Sequence, residues 1–423
     1  MCCSLAGLPG VGKTTLAQQL AYLWSQGRWG QEFKTVYLLF VRALQSSQYD
    51  GSTYHKMPTL PTAIVNSCFP LRSSNVSKYK ELRQQVEATL EDDSTLVILD
   101  GLDEREAPNT RRLNTQEQLL EAARNGKCKL LMLSRAYSVG AERDVADLEI
   151  EHVGLSDDQL EAYLRDETLS GLSLEQGADL LSLLRHHPSM FAMAHVPINL
   201  SLLCYFYAYN VSSVTDAVRQ GSLPLLYKYL TEHIWSRYEA NVPGLPNAGR
   251  EDIFSMLGEL ALHTIRAGKI LVDHNVLIKQ FGFGRSFATQ LLDMQKSGFL
   301  LLKFLGNVNQ YQFPHLTFQE YFAACCLADQ LTAEDASKKV SGEAIFLEMC
   351  RAPRYGRTLS FLSGVLSDRK GVVGVRYLLS LVADIQASLA QTDYVLLQLR
   401  LLNEWLCLSD PAVIEAELPG MLA

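Results

Sequence analysis

Apolar and polar positions divide this 423-residue chain into two unlike stretches. Up to about residue 155, short apolar runs recur at intervals: CCSLAG, KTVYLLFV, TLVILDGL, CKLLMLS and DLEIEHV. Between several of them lie segments of helical period, such as TTLAQQLAYLWSQ and TQEQLLEAARNG. Strands that are apolar throughout need cover on both sides, and the intervening helices supply it. The pattern predicts a doubly wound α/β domain, a parallel sheet with helices on both faces.

Beyond residue 155 the strand pattern nearly stops. SDDQLEAYLRD opens with Ser156 as an N-cap and Gln159 at the third helical position, the arrangement of a capping box. Helical segments continue through GADLLSLLRHHPSM and VPINLSLLCYFYAY, then LPLLYKYLTEHIWSRY, REDIFSMLGELALHTIR and RSFATQLLDMQKS. GFLLLKFLGNVNQYQF interrupts them and reads as a hairpin turning at Gly306-Asn307. Helices followed by a hairpin suggest a winged-helix module. The expected domains are 1–153 (α/β), 154–212 (helical), 213–333 (winged helix) and 334–423 (helical, Leu-rich).

Composition narrows the functional classes. A formal net charge of −8 gives no global electrostatic reason to coat nucleic acid or an anionic membrane, so neither is an expected partner. No apolar run is long enough to span a bilayer, and MCCSLAGLPG lacks the basic start of a secretory signal. The nine cysteines form no C-x-x-C spacing, which suits reduced, buried thiols and a cytoplasmic location.

The chemistry concentrates in GLPGVGKTT. Gly7, Gly12, Lys13 and Thr14 satisfy G-x-x-x-x-G-K-[ST], directly after an apolar run and before a helical one. Glycines let successive backbone N–H groups turn inward around phosphate oxygens, and the helix start adds positive potential. Gly7, Leu8, Pro9, Gly10, Val11, Gly12, Lys13, Thr14 and Thr15 are therefore the candidate phosphate cradle. Lys13 would carry charge to the β and γ phosphates, and the Thr14 hydroxyl would ligate Mg²⁺. In LVILDGLDE, Asp100 ends an apolar run beside that loop and is the second candidate Mg²⁺ ligand. Asp103 and Glu104 follow, and either could orient or deprotonate an attacking water. In KLLMLSRA, Ser134 and Arg135 end another run, where Arg135 could reach a γ-phosphate.

Together these segments resemble the NACHT family of STAND ATPases, which includes the NLR innate-immune receptors. GLPGVGKTTLAQQLAYLW looks like its Walker A strand and helix, LVILDGLDE like its extended Walker B, and LLMLSRA like its sensor-1 strand. VPINLSLLC resembles the G-x-P region, which implies that Pro197 packs on adenine. QYQFPHLTFQEYFAACCLA resembles the winged-helix motif, which implies that His315 contacts the ADP β-phosphate. The resemblance implies ATP, ADP and Mg²⁺ as ligands, a closed ADP state, self-association into a ring, and slow hydrolysis. It also sets an expectation of a fragment or stripped-down core, since no effector domain precedes the loop and no sensor repeat follows. A housekeeping P-loop ATPase that remodels a substrate is the alternative, separated by turnover rate.

Overall fold

The structure is a computed structural model that describes residues 2–7, 10–41, 59–69, 76–102, 114–134, 146–209, 211–241, 249–269, 272–274, 277, 285–305, 308–386 and 389–422. The chain forms two compact bodies. One comprises Met1–Leu155 with Val196–Ile198, the other Ser156–His195 with Asn199–Ala423.

In the first body the chain runs β1 (Cys2–Gly7), α1 (Lys13–Ser25), β2 (Thr35–Phe40), α2 (Leu60–Cys68), α3 (Val76–Thr89), β3 (Thr95–Asp100), α4 (Asn114–Arg124), β4 (Lys129–Ser134) and β5 (Leu148–His152). All five expected strands form, in the spatial order β2-β3-β4-β1-β5, and every pairing is parallel. Strand periodicity sorts β3 between two cores. Val97 and Leu99 pack with Ile64 of α2, Val86 of α3 and Leu119 of α4, while Leu96 and Ile98 pack with Ala17 of α1. Helices thus cover both faces, as the apolar runs require.

The run DLEIEHV departs from the all-apolar expectation. β5 lies at the sheet edge, and Leu148 through Glu151 are exposed, so alternation in LEIE marks an edge strand rather than a doubly covered one.

The second body is helical with one small sheet. It begins with α5 (Asp157–Arg165), α6 (Glu167–Ser170), α7 (Leu174–Arg185) and α8 (Pro188–Ala194). Ser156 accepts from the Gln159 N–H while the Gln159 side chain accepts from the Ser156 N–H, completing the expected capping box. Ser173 and Gln176 repeat the device at α7. Next come α9 (Pro197–Tyr209, whose first two residues belong to the first body), α10 (Val211–Gln220), α11 (Leu223–Asn241), α12 (Arg250–Arg266), β6 (Val272–Asp273), α13 (Arg285–Lys296), β7 (Leu301–Leu305) and β8 (Val308–Gln312). β7 and β8 pair antiparallel as the expected hairpin, and β6 extends them to β6-β8-β7. The Gly306-Asn307 turn lies outside the described residues. The body closes with α14 (Leu316–Leu331), α15 (Ala336–Cys350), a 3₁₀ turn at Pro353–Tyr355, α16 (Gly356–Lys370), α17 (Val372–Ala383), α18 (Gln391–Leu408) and α19 (Pro411–Leu422).

α14 is the axis of this body. Twelve of its residues are buried, including the polar Thr317, Gln319 and Glu320. Small residues set the tightest helix approaches. A Cβ on Gly177 of α7 would lie 2.2 Å from the Leu164 carbonyl oxygen of α5. That neighbour is backbone and cannot swing away, so Gly177→Ala should force the helices apart at a cost of about 2 kcal/mol. A lowered midpoint in thermal unfolding checks this, and an unchanged one would show that the contact yields freely.

Candidate functional site

β1 ends at Gly7 and α1 begins at Lys13, so the loop between them opens at the carboxyl edge of the sheet. That is where open α/β sheets bind ligands. Gly10 has φ +84° and Gly12 φ +100°, backbone that a side chain rarely tolerates. At Gly12 conformation alone selects glycine, because a Cβ there would meet nothing within 4 Å. At Gly10 space selects it as well, since a Cβ would come within 2.4 Å of Ile198. Val11, 1 % exposed, pins the loop to the core.

Gly12 is the N-cap of α1, its carbonyl accepting the Leu16 N–H at 2.8 Å. It contributes no side-chain cap, and no acidic residue occupies the first turn. The positive end of the helix is thus built without a resident carboxylate in that turn, as an anion site requires. Lys13 curls back, its Nζ donating to the Gly7 carbonyl at 2.8 Å.

The Thr14 hydroxyl donates to Asp100 Oδ2 at 2.6 Å. Asp100 ends β3, between β2 and β4, and is 6 % exposed. Two hard oxygen donors from adjacent elements therefore face each other beside the loop. Their chemistry fits Mg²⁺, which needs few protein ligands and fills its octahedron with waters and phosphate oxygens. Among the described residues no group of three or more His, Cys, Asp or Glu forms a metal cage.

Pro197 also stands at the loop, although 184 residues separate it from Lys13 in sequence order. The Ile198 N–H donates to the Gly10 carbonyl at 3.4 Å, and Val196 and Ile198 would both crowd a Cβ on Gly10. Ser134 is buried at the end of β4. Leu8, Pro9, Asp103, Glu104 and Arg135 lie outside the described residues. Thr15 is exposed in the first turn of α1.

His315 belongs to the second body, as N-cap of α14. Its Nδ1 accepts the Thr317 N–H at 3.2 Å. The motif around it is a network of buried polar groups. Gln319 Nε2 donates to Thr264 Oγ1 at 2.6 Å and to the Lys269 carbonyl at 2.9 Å, tying α14 to the end of α12.

Sequence reading misses His152. It ends β5 directly opposite Gly7, and its Nδ1 accepts the Gly154 N–H at 3.2 Å. Burial, then the Lys13 ammonium, push its pKa down. A neutral imidazole therefore flanks the loop at neutral pH. Its placement depends on strand register, which no local motif encodes. The nine cysteines are all free thiols, as expected, and burial pushes their pKa values up, so none is a ready thiolate.

A parallel sheet whose first strand feeds a glycine loop, a lysine and a hydroxyl-carboxylate pair defines a P-loop nucleotide-binding domain. Residues 2–169 match the family model of the NACHT domain. It is 25% identical over 387 residues to mouse "NACHT, LRR and PYD domains-containing protein 12", covering 86% of this chain. The chain spans about a third (33%) of the length of that curated relative. Among solved structures, a STAND protein with a tetratricopeptide repeat sensor from Pyrococcus horikoshii aligns over 95% of this chain and 51% of its own, with 13% identity and a TM-score of 0.35. Cdc6p from Pyrobaculum aerophilum aligns over 76% of this chain and 87% of its own, with 14% identity and a TM-score of 0.29. No described helix is long and apolar enough to cross a membrane.

Proposed function

We propose that this chain is the ATP/ADP-binding core of an NLR-like signalling switch in the cytoplasm. The Thr14–Asp100 contact at 2.6 Å carries the reading, because it joins Walker A to Walker B at the place where a nucleotide-bound Mg²⁺ belongs. Mg²⁺ held by Thr14 and Asp100 would neutralise charge on the terminal phosphates. Backbone N–H groups of the loop over residues 7–15, all but Pro9, cradle the phosphates, and Lys13 leaves the Gly7 carbonyl to reach them. Pro197 packs on the base, which fits its place beside Gly10. Arg135 contacts the γ-phosphate, and Asp103 or Glu104 orients the attacking water.

ADP favours only the state in which its contacts coexist, and His315 supplies one of them to the β-phosphate. Exchange for ATP releases that contact and exposes surface for self-association into a ring. Slow hydrolysis resets the switch.

The purified full chain is expected to take up ATP and ADP in calorimetry, with ATP favoured by Mg²⁺. Asp100→Asn keeps the side-chain shape but removes the charge, so the Mg²⁺ enhancement should fall about tenfold. Absence of uptake by well-folded protein would end the assignment.

A further inference from the structure

His315 is held by more than its own helix. Its Nδ1 lies 2.9 Å from Thr317 Oγ1, and Tyr227 of α11 donates its phenol to the same Oγ1 at 2.5 Å. Tyr227 and Thr317 are both fully buried. Burial also pushes the Tyr227 phenol pKa up, so it stays a protonated donor.

The direction of the chain follows from its ends. The Thr317 N–H can donate only to a bare nitrogen, so Nδ1 carries no proton. The Thr317 hydroxyl must then donate to Nδ1, and its lone pair accepts from Tyr227. A neutral imidazole with a bare Nδ1 carries its proton on Nε2. Tyr227 is itself locked in place. Its ring stands edge-on to Phe361 of α16 at 5.1 Å and to Phe318 of α14 at 5.3 Å.

We propose that Thr317 and Tyr227 are positioning residues for His315: their hydroxyl chain, anchored in a buried aromatic cluster, holds the imidazole as its Nε2–H tautomer, a neutral hydrogen-bond donor suited to a phosphate oxygen. The functional half of this inference rests on the reading of His315 as a nucleotide contact. The tautomer half does not. The chain also gives that contact a mechanical reference, because the phenol that orders it sits on α11 and is packed by α16. A shift of those helices would reach the phosphate donor through two hydrogen bonds.

The test uses the full chain with ¹⁵N-labelled histidine, of which it holds nine. The His315 signal is assigned by its loss in His315→Gln. Long-range ¹H–¹⁵N correlation should show the proton on Nε2 in the unmodified protein. Thr317→Val keeps the shape and the backbone N–H but removes the hydroxyl. It should mix the tautomers and weaken ADP about fivefold, and Thr317→Ser should restore both. Tyr227→Phe should move the same signal with its ring retained. A proton on Nδ1 in the unmodified protein overturns the inference without recourse to any variant. So does a Thr317→Val protein with an unchanged tautomer. If His315→Ala binds ADP as tightly as the unmodified protein, the nucleotide reading of His315 fails and the functional half falls with it, while the tautomer result still decides the hydroxyl chain.

Discussion

Lys13→Ala is expected to reduce ATP and ADP affinity at least about a hundredfold, to the floor of a calorimetric or fluorescent-nucleotide titration. Charge-assisted bonds to phosphate contribute about 1.5–3 kcal/mol each, and Lys13 is placed to make more than one, so a loss of that size follows from a single side chain. The folded state should lose less. Lys13 is half-buried, and its 2.8 Å bond goes to the carbonyl of the buried Gly7, which truncation leaves without that donor. Stability should therefore fall by about 1 kcal/mol, the size of one ordinary hydrogen bond and well short of the loss in binding. That separation distinguishes Lys13→Ala from Asp100→Asn, which should spare metal-free binding and remove only the Mg²⁺ enhancement. Retained micromolar binding in a folded Lys13→Ala protein would show that the glycine loop is a turn and nothing more.

Residues whose placement is local were legible in the sequence, and those whose placement depends on register or long-range packing were not. The loop reads directly because phosphate chemistry needs its glycines, lysine and threonine contiguous. Asp100 reads because it ends an apolar run. The hairpin reads because β7 and β8 are adjacent in the chain, and the Ser156 box because its partners are three residues apart. His152 is different, since it becomes part of the site only through pairing of β5 with β1 opposite Gly7. Gly177 looks like any helical glycine until Leu164 of another helix is set against it. The HLTFQE motif showed its order but not its physics. Thr317 and Gln319 are buried because Tyr227, Thr264 and Lys269 come to meet them from 90, 55 and 50 residues away.

The same limit hides Glu404, which carries the second large prediction. This carboxyl is buried in α18 and accepts from the Ser222 hydroxyl at 3.4 Å, 182 residues distant. Ser222 also accepts the Leu225 N–H at 3.3 Å, so it ties the start of α11 to α18. A Cβ on Gly364 would sit between Pro224 and Glu404, which shows how little room water has there. Burial raises the Glu404 pKa from an ordinary 4.5 to about 8, and the Ser222 bond offsets only part of that. Between those two values the folded chain binds the proton and the unfolded chain has released it. Stability must then fall as pH rises through that interval and level off above about 8, with a loss on the order of 4 kcal/mol. Glu404→Gln keeps the shape and cannot ionise, so it should remove this part of the slope. Urea unfolding should find the two proteins alike near pH 5 and the glutamine variant clearly more stable near pH 8.5. Parallel stability curves across that range would show that Glu404 is solvated as readily in the fold as out of it.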